Sequence, residues 1–397
     1  MLEVPAALEI VLGHARRLAP VTAPLTPIAL RRVTATDIAS DIDSPPYAKS
    51  IMDGYAVRSD DAATSLLVVE EVAAGRMPTR PVGPGQAARV MTGAPIPEGA
   101  DAVIPHEETQ SSGNTVRVRR PVAAGKFVLA RGREMRAGDV VVPAGTVLTP
   151  AAFGLLAAVG RTEVPVHPAA RLAIISTGDE LVEPPARPGP GQIRNSNGPM
   201  LVALTARAGA EARYFGIGRD DKAALTNLVR QGLDEANVLV LSGGVSAGKF
   251  DFVPDVLREL GVEAHFHKVR MKPGKPLLFG SRGNTLVFGL PGNPVSSFVG
   301  FELFVRPALR KMTGEAIPGP TFVPVPLVTD LVAENDRPTL APATLKWTPN
   351  GLQVQPAGWF GSADLRGLLA TDALIALPAG AVSYTAGSTV PTLPLDS

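Results

Sequence analysis

Three turns rich in glycine and hydroxyl residues follow apolar segments in the middle of the sequence. They are Ser176-Thr177-Gly178-Asp179-Glu180, Ser242-Gly243-Gly244-Val245-Ser246-Ala247-Gly248 and Leu290-Pro291-Gly292-Asn293-Pro294. Glycine lets backbone N–H groups approach an anion closely, hydroxyl groups add donors, and a helix that begins after such a turn adds partial positive charge. The turns therefore predict a site for a phosphate-bearing ligand, although turns of this composition also serve only to connect strands.

The second turn satisfies the P-loop spacing G-x-x-x-x-G-K from Gly243 to Lys249. However, Phe250 stands where a P-loop has the serine or threonine that binds magnesium. Asp251 as the N-cap of a following helix explains the turn equally well. A P-loop is therefore the less favoured interpretation.

Two lysines flank a tight turn in Lys272-Pro273-Gly274-Lys275-Pro276. Ammonium groups at these positions could neutralise a phosphate or an oxyanion. A solvated turn between two strands is the alternative interpretation.

Several carboxylates accompany these turns. They are Asp53 in the apolar segment 51–55, Asp179 and Glu180 at a strand end, and Asp220 and Asp251 at helix starts. A carboxylate in an apolar segment is unusual, whereas acids at helix starts most often cap the helix. Carboxylates beside phosphate-binding turns also hold Mg²⁺, which prefers oxygen ligands, so magnesium is the metal that this set favours.

The chain contains 38 lysines and arginines against 37 acidic residues, and it has no cysteine. The charge balance argues against a nucleic-acid or membrane-surface binder. The absence of cysteine excludes disulfides, thiolate zinc sites, iron–sulfur clusters and cysteine nucleophiles. Of the five histidines only His265 and His267 are close in sequence, and no HExxH or GxSxG motif occurs, so zinc and covalent hydrolase chemistry have no support.

Alternating strand and helix patterns over residues 169–312 predict a three-layer α/β domain with a mainly parallel sheet. Its predicted helices begin near Asn197 and Pro199, cover 220–236 and 251–260, and end with 294–312, which we expect to bend at Pro307. Ligands of such sheets bind beyond the carboxyl ends of the strands. The three turns stand at predicted strand ends, where such a ligand would bind.

The flanking regions have a different character. Residues 1–42 begin with an amphipathic helix, 43–125 are β-rich, 126–168 hold short strands and a helix at 149–160, and 313–397 predict a small β-barrel or sandwich. The N-terminal segment lacks the apolar core and cleavage site of a signal peptide. Prolines and glycines break the longest uncharged stretch, 140–160, so we expect a cytoplasmic protein without a membrane span.

Seven segments together resemble the MoeA family, the molybdopterin molybdenumtransferases, which are related to the E domain of gephyrin and of its plant counterpart. The segments are SIMDGYAV (50–57), RVMTGAPIPEGADAVIPHEET (89–109), IISTGDEL (174–181), GQIRNSNGPML (191–201), LVLSGGVSAGKFDFV (239–253), VRMKPGKPLLFG (269–280) and VFGLPGNPVSSF (287–298). They occur in family order, and the resemblance covers essentially the whole chain.

The resemblance implies an elongated homodimer whose active site is shared between subunits. Each subunit would have a discontinuous linking domain (1–42 and 126–168), a β-rich domain (43–125), an α/β molybdopterin-binding domain (169–312) and a C-terminal β-barrel (313–397). The implied reaction converts adenylylated molybdopterin and molybdate into molybdenum cofactor and AMP, with a divalent cation, Mg²⁺. Molybdopterin adenylyltransferase and molybdoenzyme apoproteins are the implied partners.

The family's functional residues can be carried over by position. Asp53 and Thr92 would face the α/β domain of the other subunit, while Glu180, Asp220 and Asp251 would line the pocket and bind metal or pterin. The anion floor would comprise Lys272, Lys275, Pro291 and the 242–248 turn, and Ser362 would face the cleft from the C-terminal domain.

Four positions depart from the family pattern. Glu134, a further implied metal ligand, stands where many members carry aspartate, and its carboxylate reaches about one methylene further. Asn195 stands where an acid is common, which weakens a metal role there. Lys249 and Phe250 place a cation and a ring before Asp251, where neutral or acidic residues are frequent.

Three other functions compete with the transferase. A gephyrin-like scaffold, or a paralogue without transferase activity, would have no need of Asp53, Thr92, Glu180, Asp251 and Lys275. A molybdopterin adenylyltransferase or CinA-like protein would share the α/β domain but lack the segments 50–57 and 89–109. A P-loop NTPase is disfavoured by Phe250.

Overall fold

The structure is a computed structural model that describes residues 1–61, 65–244, 252–349 and 351–395. The chain divides into two compact units. The first contains Met1–Ala35, Gly145–Thr149 and Val164–Ser397, and the second contains Thr36–Ala144 and Pro150–Glu163. This division does not set the boundaries of the four predicted domains, which stay predictions.

A six-stranded mixed sheet forms the centre of the first unit. Its strands are β1 (Arg171–Thr177), β2 (Glu211–Gly218), β3 (Val238–Ser242), β4 (Glu263–Lys268), β5 (Pro276–Arg282) and β6 (Thr285–Leu290). The spatial order is β2-β1-β3-β6-β5-β4; the first four strands in this order are parallel, and β5 and β4 are antiparallel to their neighbours. The predicted mainly parallel sheet is therefore confirmed.

Helices cover both faces of this sheet. They are α1 (Asn197–Arg207), α2 (Lys222–Glu235), α3 (Val253–Glu259), α4 (Pro294–Gly300) and α5 (Arg306–Met312). Along β1, Leu172 and Ile174 pack with α1, α4 and α5, whereas Ala173 and Ile175 pack with α2 and α3. Because successive side chains of a strand point to opposite faces, both faces of β1 must be apolar. The three-layer α/β architecture is confirmed.

The helix predicted over 294–312 is interrupted before Pro307. Phe301–Val305 form a π-helical segment between α4 and α5. Proline has no N–H to donate to the carbonyl four residues earlier, here that of Leu303, and a wider turn relieves the resulting clash. The irregularity therefore lies in the turn that precedes the proline.

The first unit also contains the two ends of the chain. The helix Val4–His14 packs on the core of the sheet, and three short strands pair in the order Val21–Pro24, Glu163–His167 and Val33–Thr34. The C-terminal strands are Val323–Pro326, Leu331–Asn335, Thr339–Thr348, Gly351–Pro356, Ala373–Leu377, Gly380–Tyr384 and Thr389–Pro394, with a short helix Leu365–Leu368. They form a five-stranded sheet and a two-stranded ribbon, so the predicted β-rich C-terminal region is confirmed.

The second unit is built mainly of strands. Its six-stranded sheet has the order Ala102–Pro105, Gly54–Val57, Gln86–Val90, Ser65–Val72, Thr115–Val118 and Thr109–Ser112. Two further pairs join Lys49–Ser50 to Val128–Leu129 and Ile38–Ala39 to Val140–Val142, and Pro150–Ala158 is a helix. Across the described parts of both units, no helix is both long enough and apolar enough to cross a membrane.

A buried carboxylate in the π-helical segment provides a test of this packing. Glu302 is 1% exposed and accepts from Arg207 and, at 2.8 Å, from Arg306. We expect Glu302→Gln to lower the free energy of unfolding by about 3 kcal/mol, because it leaves partly buried guanidinium groups without the charge between them. Glu259→Gln, which breaks a surface pair with Lys222, should cost less than about 1 kcal/mol in the same urea titration. Equal losses in the two variants would contradict this account of Glu302.

Candidate functional site

The three predicted turns meet at one edge of the sheet. Ser176 of β1 is in register with Ser242 of β3, and Ser242 is in register with Leu290 of β6. Because these strands are parallel and end at the same level, the turns that follow them are neighbours. A cavity of about 590 Å³ lies there, and from the predicted set it is lined by Thr177, Glu180, Gly243, Gly244, Pro291, Gly292 and Asn293.

Two of the glycines are required by the backbone. Gly243 has φ +96° and its N–H donates to the carbonyl oxygen of Leu290 at 3.0 Å. A Cβ atom at this position would lie 2.6 Å from the carbonyl oxygen of Thr177. Gly178 has φ +138°, and a Cβ there would overlap the Glu180 carboxylate. Both turns therefore depend on glycine to hold their shape.

Two asparagines that precede or begin α1 also line the cavity, although they were not among the predicted binding residues. Asn195 accepts from the Ser176 hydroxyl at 3.1 Å and donates to the Tyr214 hydroxyl at 2.6 Å, which in turn donates to Glu183 at 2.9 Å. Burial, followed by the neighbouring Glu183 carboxylate, raises the pKa of Tyr214. Tyr214 therefore remains a neutral hydroxyl that holds Asn195 in place.

Asn197 was predicted to cap α1, but the structure gives it another role. It is the first residue of α1, and its side-chain nitrogen donates to the Ser242 hydroxyl and to the Gly292 carbonyl, both at 2.7 Å. Ser196 occupies the N-cap position without a side-chain capping bond. The sequence signal was its position beside a predicted helix start, but contacts 45 and 95 residues away cannot be read from local spacing.

The acidic residues near Glu180, which lines the cavity, are arranged differently from the capping prediction. Asp221 caps α2 by accepting from the N–H of Ala224 at 2.7 Å, so Asp220 is not the cap. The N–H of Asp220 instead donates to the Asp179 carboxylate at 3.1 Å. Desolvation, followed by the negative charges of Asp179 and Glu180, raises the pKa of Asp220. These carboxylates form an exposed, like-charged set.

The predicted metal ligands are only partly brought together. Among the residues that the structure describes, no three His, Asp or Glu side chains are arranged as a metal site. Glu134, in the second unit, accepts from the Ser44 hydroxyl at 2.7 Å and lies 3.8 Å from Lys49. Asp251, Ser246 and Gly248 lie outside the described residues.

The lysine turn is fixed by the C-terminal strands. The N–H of Lys272 donates to the Pro338 carbonyl at 2.8 Å, and the Lys272 carbonyl accepts from the N–H of Leu340 at 2.7 Å. Lys272 is half-buried and Lys275 is exposed. Neither lysine lines the cavity, although the adjacent Pro276 does.

Ser362 connects the C-terminal region to the cavity. Its hydroxyl accepts from the Asn293 side chain at 2.9 Å, and its carbonyl accepts from the N–H of Val295 at the same distance. Ala363 and Leu365, which follow it, line the cavity. The C-terminal region therefore supplies part of the cavity wall.

The second unit holds Asp53 and Thr92 in direct contact. One Asp53 oxygen accepts from the Thr92 N–H at 2.6 Å and from the Thr92 hydroxyl at 2.8 Å. These bonds, the backbone one first, lower the pKa of Asp53, and the positive charges of His106 and Arg89 act in the same direction. The two Thr92 donors therefore hold the Asp53 carboxylate in one orientation and favour its ionised form.

Three family models match the chain. They are the MoeA N-terminal region (domain I and II) over residues 2–160, a probable molybdopterin binding domain over 173–311, and the MoeA C-terminal region (domain IV) over 324–395.

Similar proteins cover almost the whole chain. A molybdopterin molybdenumtransferase of Staphylococcus aureus is 34% identical over 91% of this chain and 88% of its own length. One of Staphylococcus epidermidis is 32% identical over 93% of this chain and 90% of its own length. The crystal structure of the molybdopterin biosynthesis moeA protein from Pyrococcus horikoshii OT3 matches with a TM-score of 0.85 and 32% identity, over 99% of this chain and all of that chain.

The Asp53–Thr92 contact predicts how the Asp53 carboxyl titrates. Thr92→Val removes the hydroxyl donor but retains the backbone donor, so the pKa of Asp53 should rise toward its ordinary value, whereas Thr92→Ser should leave it low. A carboxyl NMR titration measures both. Because the lowered pKa stabilises the fold only while Asp53 is ionised, any stability difference should exist at neutral pH and vanish below the folded-state pKa. An unchanged pKa in Thr92→Val would contradict this assignment.

Proposed function

The chain belongs to the MoeA family of molybdopterin molybdenumtransferases, and we propose that it inserts molybdate-derived molybdenum into adenylylated molybdopterin, releasing molybdenum cofactor and AMP. The observation that supports this most directly is the cavity at the ends of β1, β3 and β6, where glycine turns, hydroxyls and amides converge. Such a site suits anionic ligands, because backbone N–H groups and side-chain amides stabilise a negative charge by donating hydrogen bonds to it.

Cleavage of the phosphoanhydride places negative charge on the departing phosphate, which donors or cations must stabilise. We assign substrate binding to the turns that carry Thr177, Gly243 and Gly292, and to Asn293 with its partner Ser362. Lys272 and Lys275, on a turn fixed by the C-terminal strands, would supply mobile positive charge near this cavity.

We propose that the carboxylates around Glu180 bind a divalent cation, although they do not form a complete metal site among the described residues. Asp220 is desolvated beside Asp179 and Glu180, and an oxygen-rich, like-charged set is the donor chemistry that Mg²⁺ prefers. Glu180 and Asp220 would hold the ion, with Asp251 as a further proposed ligand. When bound, the ion would neutralise charge on the phosphate oxygens. Glu134, already engaged by Ser44 and Lys49, is the weaker candidate.

We propose a cytoplasmic homodimer in which Asp53 and Thr92 of one subunit act at the cavity of the other. The substrate would come from a molybdopterin adenylyltransferase, and the product would pass to molybdoenzyme apoproteins. The family membership supports this assembly. The hydrogen bonds that orient Asp53 and lower its pKa support a role for its carboxylate in the site.

A reconstituted reaction tests the activity. Purified protein with adenylylated molybdopterin, molybdate and Mg²⁺ should release AMP and activate a cofactor-free molybdoenzyme, and EDTA should abolish both. Asp53→Ala and Lys275→Ala should each lower the rate at least about a hundredfold, the scale of losing a charged group that acts on the transition state. Lys346→Ala, an exposed lysine on the strand Thr339–Thr348, is the control and should retain activity. Pterin binding without AMP release would instead indicate a scaffold or paralogue.

Mixing the two inactive variants tests the shared site. In a randomised mixture of Asp53→Ala and Lys275→Ala, half of the dimers are hybrids, and each hybrid has one intact site if the two residues come from different subunits. About a quarter of the wild-type activity should therefore return. If Asp53 and Lys275 act within one subunit, no intact site can form and the mixture stays inactive.

A further inference from the structure

Asn197 joins two of the three turns that form the cavity. Its side chain is 7% exposed, and its nitrogen donates to the Ser242 hydroxyl at the end of β3 and to the Gly292 carbonyl after β6. Both bonds are 2.7 Å long. One amide at the start of α1 therefore fixes the ends of two other elements.

The orientation of this amide is determined by its neighbours. The reversed amide would place its oxygen against the Gly292 carbonyl, where two acceptors would repel. In the orientation observed, the Asn197 oxygen is buried and has no hydrogen-bond partner among the described residues. An unsatisfied buried acceptor costs about 1–3 kcal/mol, so the fold retains this amide despite that cost. Local costs of this kind are expected where function requires a particular geometry.

The two contacts of Asn197 lie directly beside ligand-facing backbone. Ser242 precedes Gly243 and Gly244, and Gly292 precedes Asn293, all of which line the cavity. Gly198, the next residue of α1, is packed against the Tyr214 ring, which restricts movement of the start of α1. The bridge therefore adds a side-chain link between Ser242 and Gly292 to the backbone bond that joins Gly243 to Leu290.

We propose that Asn197 is a positioning residue that holds Gly243 and Gly244, after β3, against Gly292 and Asn293, after β6, in the arrangement needed to bind the anionic part of adenylylated molybdopterin. This inference rests on the proposed function. Donors held in place before binding cost no ordering entropy when the ligand arrives. Without the bridge, the Gly243–Leu290 backbone bond remains but the link from Ser242 to Gly292 is lost, so the ligand must supply more of the ordering and affinity falls.

The test compares Asn197→Ala and Ser242→Ala with Asn335→Ala. Asn335 is a matched control, since it is 6% exposed and donates to the Pro378 carbonyl in the C-terminal region, away from the cavity. The measurements are the Kd of adenylylated molybdopterin by calorimetry, KM and kcat for AMP release, and Tm. Asn197→Ala should raise Kd and KM about tenfold with a smaller change in kcat, the scale expected when one or two hydrogen bonds are lost.

The other variants separate positioning from general stability. Ser242→Ala removes one of the two bridging bonds and should raise Kd about threefold, and the double variant should bind no more weakly than Asn197→Ala, because both changes break the same bridge. Asn335→Ala should lower Tm and leave Kd and KM at the wild-type values. If Asn197→Ala does not fold, the Kd of Ser242→Ala alone still shows whether the bridge contributes to binding.

Two results would overturn the inference in distinguishable ways. If the wild-type protein binds adenylylated molybdopterin and both bridge variants bind it equally well, Asn197 is structural and only this inference fails. If the wild-type protein itself does not bind the nucleotide-linked pterin, the proposed function fails together with it.

Discussion

The common register of β1, β3 and β6 is the constraint on which the candidate site depends. Ser176, Ser242 and Leu290 lie level with one another because the three strands are parallel and hydrogen-bonded in succession. A shift of β3 by one residue would turn its apolar side chains to the opposite layers and would move Gly243 away from Leu290. The two apolar layers that cover the sheet therefore also fix the cavity, since they hold the register that aligns its turns.

Three features around the cavity depend on the structure that surrounds them. Gly178 and Gly243 have positive φ, the Asn197 oxygen is buried and has no hydrogen-bond partner among the described residues, and Asp220 lies beside other negative charges. Glycine adopts a positive φ without steric cost, whereas the buried acceptor and the adjacent like charges are unfavourable and persist because the packed sheet and helices determine the surrounding backbone. All of these residues lie near the strand ends, where ligands of parallel sheets bind.

Local sequence patterns predicted the parts of this structure that depend on local physics. Alternating strand and helix patterns over residues 169–312 predicted the parallel sheet that contains β3, and turns rich in glycine predicted the strand ends, because both signals are local in the sequence. The capping residue of α2 proved to be Asp221 rather than Asp220, a shift of one residue that only the helix geometry decides. The bridge from Asn197 and the engagement of Glu134 by Ser44 join residues 45 to 95 positions apart, so no local pattern contains them.

Two of the predicted carboxylates experience opposite electrostatic environments, and this difference separates their roles. Two donors from Thr92 stabilise the charge of Asp53 and lower its pKa, so it needs no further partner to remain ionised. Desolvation and the charges of Asp179 and Glu180 raise the pKa of Asp220, and a cation bound nearby would act in the opposite direction. Environments that push pKa values apart commonly distinguish groups with different tasks. We therefore propose that Asp53 orients or accepts from a substrate donor, and that the set containing Asp220 binds a divalent cation, whose charge would offset the repulsion that raises the pKa of Asp220.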